Sequence, residues 1–343
     1  MEKTKKIDRE RVTSFLLNYA LYIILVGILV VVVIIDNKFL HPNNLINILQ
    51  QASTKGILAL GVAGLIVLAG TDLSIGRVLG LSAAVTASLV QSTTYASRYY
   101  QNMEKPLPLI VPLLVSIGIA VVFALINGFG VAFLKMHPFI ITLGTSLIAF
   151  GCTSLYIEAQ PSGSAQALSS FEKNFIDKAA GAFRIGNFRL PYVVIYFLIC
   201  AVIVHIIWTR TKLGKNMFAV GGNSEAAAVS GVSVTRTIML VYLMSGVLYG
   251  ISAFLEAARV QSVGSQTGFN YEMDAISACV IGGVSFNGGV GTIIGVVIGS
   301  IILQAINYSL YFLQVNAYYQ YIIRGLIIII AVAIDVRKYV VKK

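Results

Sequence analysis

About ten long apolar runs, separated by short polar segments, leave this chain few structures it can adopt. They fall near residues 15–35, 56–70, 74–92, 108–134, 139–157, 191–208, 238–258, 273–290, 292–313 and 320–336. A helix rises 1.5 Å per residue, so roughly 20 apolar residues cross a hydrocarbon core about 30 Å thick. Lipid offers no partner to a bare backbone N–H or C=O, and a helix satisfies its own. The runs therefore predict an all-α polytopic membrane protein with about ten transmembrane helices. Composition agrees: 11% of the residues are charged, against about 25% in soluble domains.

The net charge of +11 does not point to nucleic acid, because no aromatic-interleaved basic face accompanies it. The cations instead flank the apolar runs. Lys3, Lys5, Lys6, Arg9 and Arg11 precede the first, Arg210, Lys212, Lys215 and Arg236 border a central loop, and Arg337, Lys338, Lys342 and Lys343 close the chain. The positive-inside rule puts all three segments in the cytoplasm, and ten crossings return both termini there. The expected organisation is a cytoplasmic segment 1–14 and one membrane domain 15–343. That domain includes an external loop 158–190 of nearly balanced charge and a cytoplasmic loop 209–236. Residues 36–55 would rest outside as a surface helix through Leu45, Ile46 and Leu49. The first apolar run has no small-residue cleavage site behind a short core and is expected to be retained.

Within the loop 209–236 the centre has a helix start and a helix stop. Asn223 or Ser224 can accept from the first free amides, and Glu225 favours the positive dipole end. Ala226, Ala227 and Ala228 propagate the helix, Ser230 follows, and Gly231 can take the left-handed conformation that ends it. So short a helix is marginal alone and reads as a peg that docks on a cytoplasmic partner.

Ionisable and polar groups at membrane depth are the candidates for a pathway or gate. Asp72 lies in GTDLSIG with Ser74, where the carboxylate caps a helix start or lines a path, and Arg77 one turn on is its expected partner. Glu256 and Arg259 stand at i, i+3, and Glu272 and Asp274 open the next run; together they ring an outer mouth or serve as snorkelling ends and caps. Asn127 and Asn307 bond across helices or meet a passing hydroxyl. Tyrosines 95, 99, 100, 318, 319 and 321 gather at outer boundaries as interface anchors or sugar-stacking rings, and Trp208 marks the cytoplasmic boundary. Cys152, Cys200 and Cys279 read as small buried hydrophobes. His41, His137 and His205 are too scattered for a metal site. The only Gly-Lys, Gly214-Lys215, lacks the rest of a phosphate loop, and no nucleophile elbow or zinc motif is present.

Two patterns bear on architecture. Ser116, Ala120, Ala124, Gly128 and Ala132, and again Gly291, Gly295 and Gly299, repeat every fourth residue, as closely packed helices require. The order of apolar and aromatic positions after Asn127 recurs after Asn307, and Asp72 and Asp274 each open the run before. Because one copy starts on an inward run and the other on an outward run, an inverted repeat is expected.

The stretches GTDLSIGRVLGL, HPFIITLGT, GKNMFAVGGNSEAAAVSGV, YEMDAISACVIGGVSFNGGVGT and YYQYIIRG resemble the membrane permeases of bacterial ATP-driven sugar importers. Within that family the galactose and methyl-galactoside type is most similar, with ribose-type permeases near it. The resemblance implies a homodimer in the bacterial inner membrane, two cytoplasmic ATPase subunits or one double ATPase, and an extracytoplasmic sugar-binding protein. It implies no cofactor in this chain, with ATP and Mg used by the partner. It assigns Asn223, Glu225, Ala226, Ala227, Ser230 and Gly231 to the contact with the ATPase. Ribose, xylose or another small sugar or nucleoside is the alternative cargo. The alternative class is an ion-coupled secondary transporter, which would need a mid-span carboxylate and no cytoplasmic peg. A membrane-embedded enzyme would need convergent acids among Asp72, Glu256, Glu272 and Asp274.

Overall fold

The computed structural model describes residues 26–340 apart from 28, 162–164 and 186–187. The basic amino-terminal segment, most of the first expected span and Lys342–Lys343 lie outside the described residues. Residues 29–35 are helical and a 3-10 turn, Asn37–Leu40, follows. The helices are then α1 (Pro42–Val67), α2 (Ile75–Leu89), α3 (Ile110–Ala132), α4 (Pro138–Glu158), α5 (Lys173–Ala179), α6 (Tyr192–Arg210), α7 (Lys212–Gly222), α8 (Ser224–Val229), α9 (Val234–Val260), α10 (Tyr271–Ile281), α11 (Ile293–Phe312) and α12 (Ala317–Val340). One antiparallel hairpin, β1 (Ala182–Ile185) with β2 (Phe188–Pro191), precedes α6. Five described helices, α3, α4, α6, α9 and α11, are long and apolar enough to cross a membrane.

The centre of the molecule is α1. Pro42 at its first position, with no N–H to leave unpaired, starts it. Residues 56–67 are then buried on every side, as an apolar helix in the middle of a bundle must be. It ends where Ala69 turns left-handed (φ 59°), letting Gly70 N–H reach Leu65 O at 2.9 Å. Leu45, Ile46 and Leu49 thus belong to the first turns of this long helix, and the separate surface helix expected over 36–55 is not formed. The reason is continuity: nothing between Asn43 and Val67 breaks a helix, so the polar first half runs into the apolar second.

α9 packs antiparallel to α1. Ser252 Oγ donates to Thr54 O and Ser245 Oγ to Gly61 O, both at 2.8 Å. The small-residue stripe of α3 lies against α9: Ser116 Oγ donates to Gly250 O at 2.8 Å, and a Cβ on Gly250 would stand 2.3 Å from Ile117 Cα. The second stripe does the same job between α10 and α11, where a Cβ on Gly299 would meet Ala278 O at 2.2 Å. Both stripes are packing surfaces.

The lengths recur in order. α1 to α4 have 26, 15, 23 and 21 residues, and α9 to α12 have 27, 11, 20 and 24. Each half is long, short, long, long, and the leading helices are antiparallel, which is the geometry an inverted repeat produces.

At the end of the bundle away from α7 and α8, the segments between helices are stitched together. Leu168 bridges Val263 and Gln91 bridges Phe171, while Glu172 Oε1 accepts from Thr93 N at 2.8 Å. Tyr99 stacks on Tyr156 (4.8 Å, 12°), whose hydroxyl meets those of Tyr100 and Ser88. The ring faces of Tyr99 and Tyr156 are therefore engaged with each other. Tyr318, Tyr319 and Tyr321 are exposed. Cys200 and Cys279 are buried as expected, but Cys152 is exposed on α4, because that helix presents much of its surface outward.

Candidate functional site

The loop 209–236 is built from two helices, one more than its sequence signals indicate. Thr211 Oγ1 accepts from Gly214 N at 3.3 Å and opens α7, and Trp208 packs edge-on against Phe218 with ring centroids 5.5 Å apart. Trp208 is 3% exposed, so it anchors α7 to α6 and is not a headgroup-level ring. Its distance of ten positions from Phe218 hides this contact from any local reading.

The peg, α8, follows its signals closely. Asn223 Oδ1 accepts from Ala226 N at 2.9 Å. At the other end Gly231 has φ 83°, Gly231 N–H bonds Ala228 O and Val232 N–H bonds Ala227 O, both at 3.0 Å. That pair of bonds is the Schellman stop. Glu225, Ala226, Ser230 and Gly231 are exposed, whereas Ala227 is 5% exposed and faces the protein's own interior. Val229, absent from the sequence-derived set, is 91% exposed at the tip. An open cleft of about 580 Å³ separates α8 from the turn at 131–136, with Glu225 and Lys135 on its rim.

The peg is tied to the membrane bundle through backbone. A Cβ on Gly221 would stand 1.7 Å from Val67 O, and one on Gly288 would stand 2.3 Å from Gly221 O. Gly289 N–H donates to that same Val67 O at 2.8 Å. The glycine-rich turn at 282–291 therefore lets three segments meet: the end of α7, the end of α1 and the link from α10 to α11. No side chain fits between them.

The second group lies within the bundle. Asp72 is fully buried; its Oδ1 accepts from Ser74 N (2.8 Å) and Ser74 Oγ (2.6 Å). Asn127 Nδ2 donates to Ser74 Oγ at 3.0 Å, and Thr145 Oγ1 donates to Asn127 Oδ1 at 2.8 Å. Asp72, Ser74 and Asn127 thus join the break before α2 to α3 and α4. Burial keeps all three off any protein surface. Arg77 does not pair with Asp72, because its guanidinium lies between the rings of Phe150 and Phe269, 4.4 and 4.9 Å from their centroids.

Glu256, 1% exposed, is held by Arg259 through two bonds of 3.0 and 2.6 Å and by Tyr271 Oη at 2.7 Å. Asp274 meets Lys55 Nζ at 2.5 Å, and Lys55 also lies 4.6 Å from the centre of the Tyr271 ring. These residues form one charge-balanced network across α1, α9 and α10. Lys55 was missed because it sits in an otherwise unremarkable turn, 219 positions from its partner. Asn307 is buried with neither side-chain polar atom bonded among the described residues, so the cross-helix bond expected of it is not formed there. Among the described residues no group of three His, Cys, Asp or Glu converges as a metal site.

A two-helix projection thus stands on a bundle of two halves of matching helix lengths. The family described as "Branched-chain amino acid transport system / permease component" matches residues 44–332. The chain belongs to that family. It is 46% identical over 344 residues to the galactose/methyl galactoside import permease protein MglC of Haemophilus influenzae, covering 100% of this chain and 99% of that one. The Escherichia coli protein of the same name is 46% identical over 337 residues, 98% and 99% of the two chains. The ribose import permease protein RbsC of Bacillus subtilis is 32% identical over 312 residues, 91% and 90% of the two chains. No solved structure matches the chain.

Proposed function

We propose that this protein is the membrane subunit of an importer for galactose or a methyl galactoside, driven by ATP hydrolysed in a separate chain. Full-length identity of 46% to permeases named for that sugar, against 32% to a ribose permease, supports the cargo. The working assembly is a homodimer in the bacterial inner membrane, both termini cytoplasmic. It works with two ATPase subunits or one double ATPase inside and a sugar-binding protein outside. The permease performs no chemistry; ATP and Mg belong to the ATPase.

The observation that carries the coupling mechanism is the capped, exposed α8 joined to α1 through Gly221, Val67 and Gly289. Closure of the ATPase pair displaces the peg into the open cleft, and the close backbone junction passes that displacement to α1 and the α10–α11 link without slack. The result is a population shift between inward-open and outward-open states. Asn223, Glu225, Ala226, Ser230 and Gly231 make or shape the contact, and Ala227 supports it from behind.

A Glu225→Cys variant carrying a short thiol-directed crosslinker tests the contact in the assembled importer. The ATPase subunit is the expected product, with yield changing when nucleotide is added. Crosslinks that never reach the ATPase in a complex that still transports would refute the assignment.

A further inference from the structure

The six pathway candidates Asp72, Ser74, Asn127, Glu256, Asp274 and Asn307 are all buried within the protomer. A different set faces outward where the two short helices meet. α2 and α10 occupy corresponding places in the two halves, and their first turns touch: a Cβ on Gly76 would stand 2.3 Å from both Glu272 Oε2 and Gly268 O. Short or interrupted helices in matching positions mark substrate sites in transporters built from repeats.

Arg77 stands at this junction. Its ring neighbour Phe150 lies twelve positions after Pro138 and eight before Glu158 in the apolar helix α4. At 1.5 Å per residue, that places the guanidinium about 18 Å from one end of the span and about 12 Å from the other. It is therefore near the middle of the hydrocarbon layer, yet only partly buried in the protomer. A cation at that depth does not face lipid; it faces water or protein. Beside it Gln266 is exposed, as are Phe269 (48%) and Met273 (44%).

The groups here have unspent bonding capacity. Of the five N–H donors of Arg77, among the described residues only those on Nη1 are engaged, by Ser265 O and Gln266 Oε1 at the long distance of 3.5 Å. Among the described residues Glu272 Oε2 is buried without a partner, packed against Gly76 next to Arg77. A sugar ring needs donors and acceptors for its hydroxyls and an apolar plate for its C–H face. Arg77 supplies donors, Gln266 a donor and an acceptor, and Phe269 the plate, while Glu272 lies behind them as the counter-charge. The carboxylate beside the guanidinium offsets its charge and favours a neutral sugar over a sugar phosphate.

We propose that Arg77, Gln266 and Phe269, with Glu272 behind them, form a transient sugar-contact site of this permease. The proposal rests on the reading of the protein as a sugar permease and adds the residues that meet the cargo.

The test uses the full importer in proteoliposomes, with galactose as the probe. Gln266→Ala and Phe269→Ala are expected to lower galactose uptake by about tenfold, the effect of losing one good contact to a passing substrate. Both are also expected to change the ratio of galactose to methyl-galactoside uptake. Leu143→Ala, on the exposed apolar face of α4, leaves uptake unchanged. In a Cys152→Ser background, Gln266→Cys is expected to react with a charged, membrane-impermeant thiol reagent, more slowly when galactose and ATP are present. Wild-type rates in both alanine variants, or a residue-266 thiol inert to the reagent, would overturn the proposal. So would a 266–266 crosslink between copies that leaves uptake intact, since the face would then be a dimer contact. If the wild-type importer carries no galactose at all, it is the sugar reading that fails.

Discussion

Glu256 shows how a single residue is held at a depth where bare charge is costly. Two bonds from Arg259 and one from the Tyr271 hydroxyl satisfy the carboxylate within the bundle. Removing one partner leaves the other charge buried and alone, whereas replacing both removes the problem. Arg259→Met is therefore expected to cost about 3–5 kcal/mol of stability, and the double variant Glu256→Gln, Arg259→Met to recover most of it. Thermal unfolding in detergent measures this; a double variant as unstable as the single one would show that packing, and not charge, dominates there. The i, i+3 spacing made this pair legible in the sequence. The bond from Tyr271 was not, because fifteen positions and a loop separate it from Glu256. Lys55 with Asp274, and Arg77 between Phe150 and Phe269, were hidden for the same reason. Their partners are brought together only by the packing of α1 on α10 and of α2 on α4.

At the scale of elements, α8 was readable because a cap and a stop act locally. Asn223 bonds three residues ahead, and Gly231 takes the conformation only glycine adopts freely. Which face of so short a helix points outward is set by what lies beneath it, and that was not readable. Ala227 proves to be the inward side and Val229 the tip. The two positions therefore separate packing from docking. Val229→Asp puts a charge on a surface meant for apolar contact and is expected to weaken ATPase binding by about tenfold or more while the permease stays folded. Ala227→Trp is expected to dislodge the loop itself, seen as faster proteolysis between α7 and α9 in the isolated permease. Normal ATPase affinity in Val229→Asp would show that the tip makes no contact. The division between α7 and α8 escaped notice because Met217 and Val220 of α7 pack inward beneath a basic surface.

Eight of the described helices form two four-helix sets whose leading members, α1 and α9, pack antiparallel through serine-to-carbonyl bonds. The number of apolar runs announced a membrane bundle. The central position of α1 was not announced, since its polar first half mimics a surface segment. In this arrangement the end of α7, the end of α1 and the glycine turn form one backbone contact that joins both halves. ATP-driven galactose accumulation in proteoliposomes containing the permease, its ATPase and its sugar-binding protein tests that account most directly. The expected result is uptake that requires ATP, is absent with a proton gradient alone, and is abolished by Glu225→Lys together with Val229→Asp. Accumulation on a proton gradient without ATP, or ATP-driven uptake undiminished in that double variant, would contradict it.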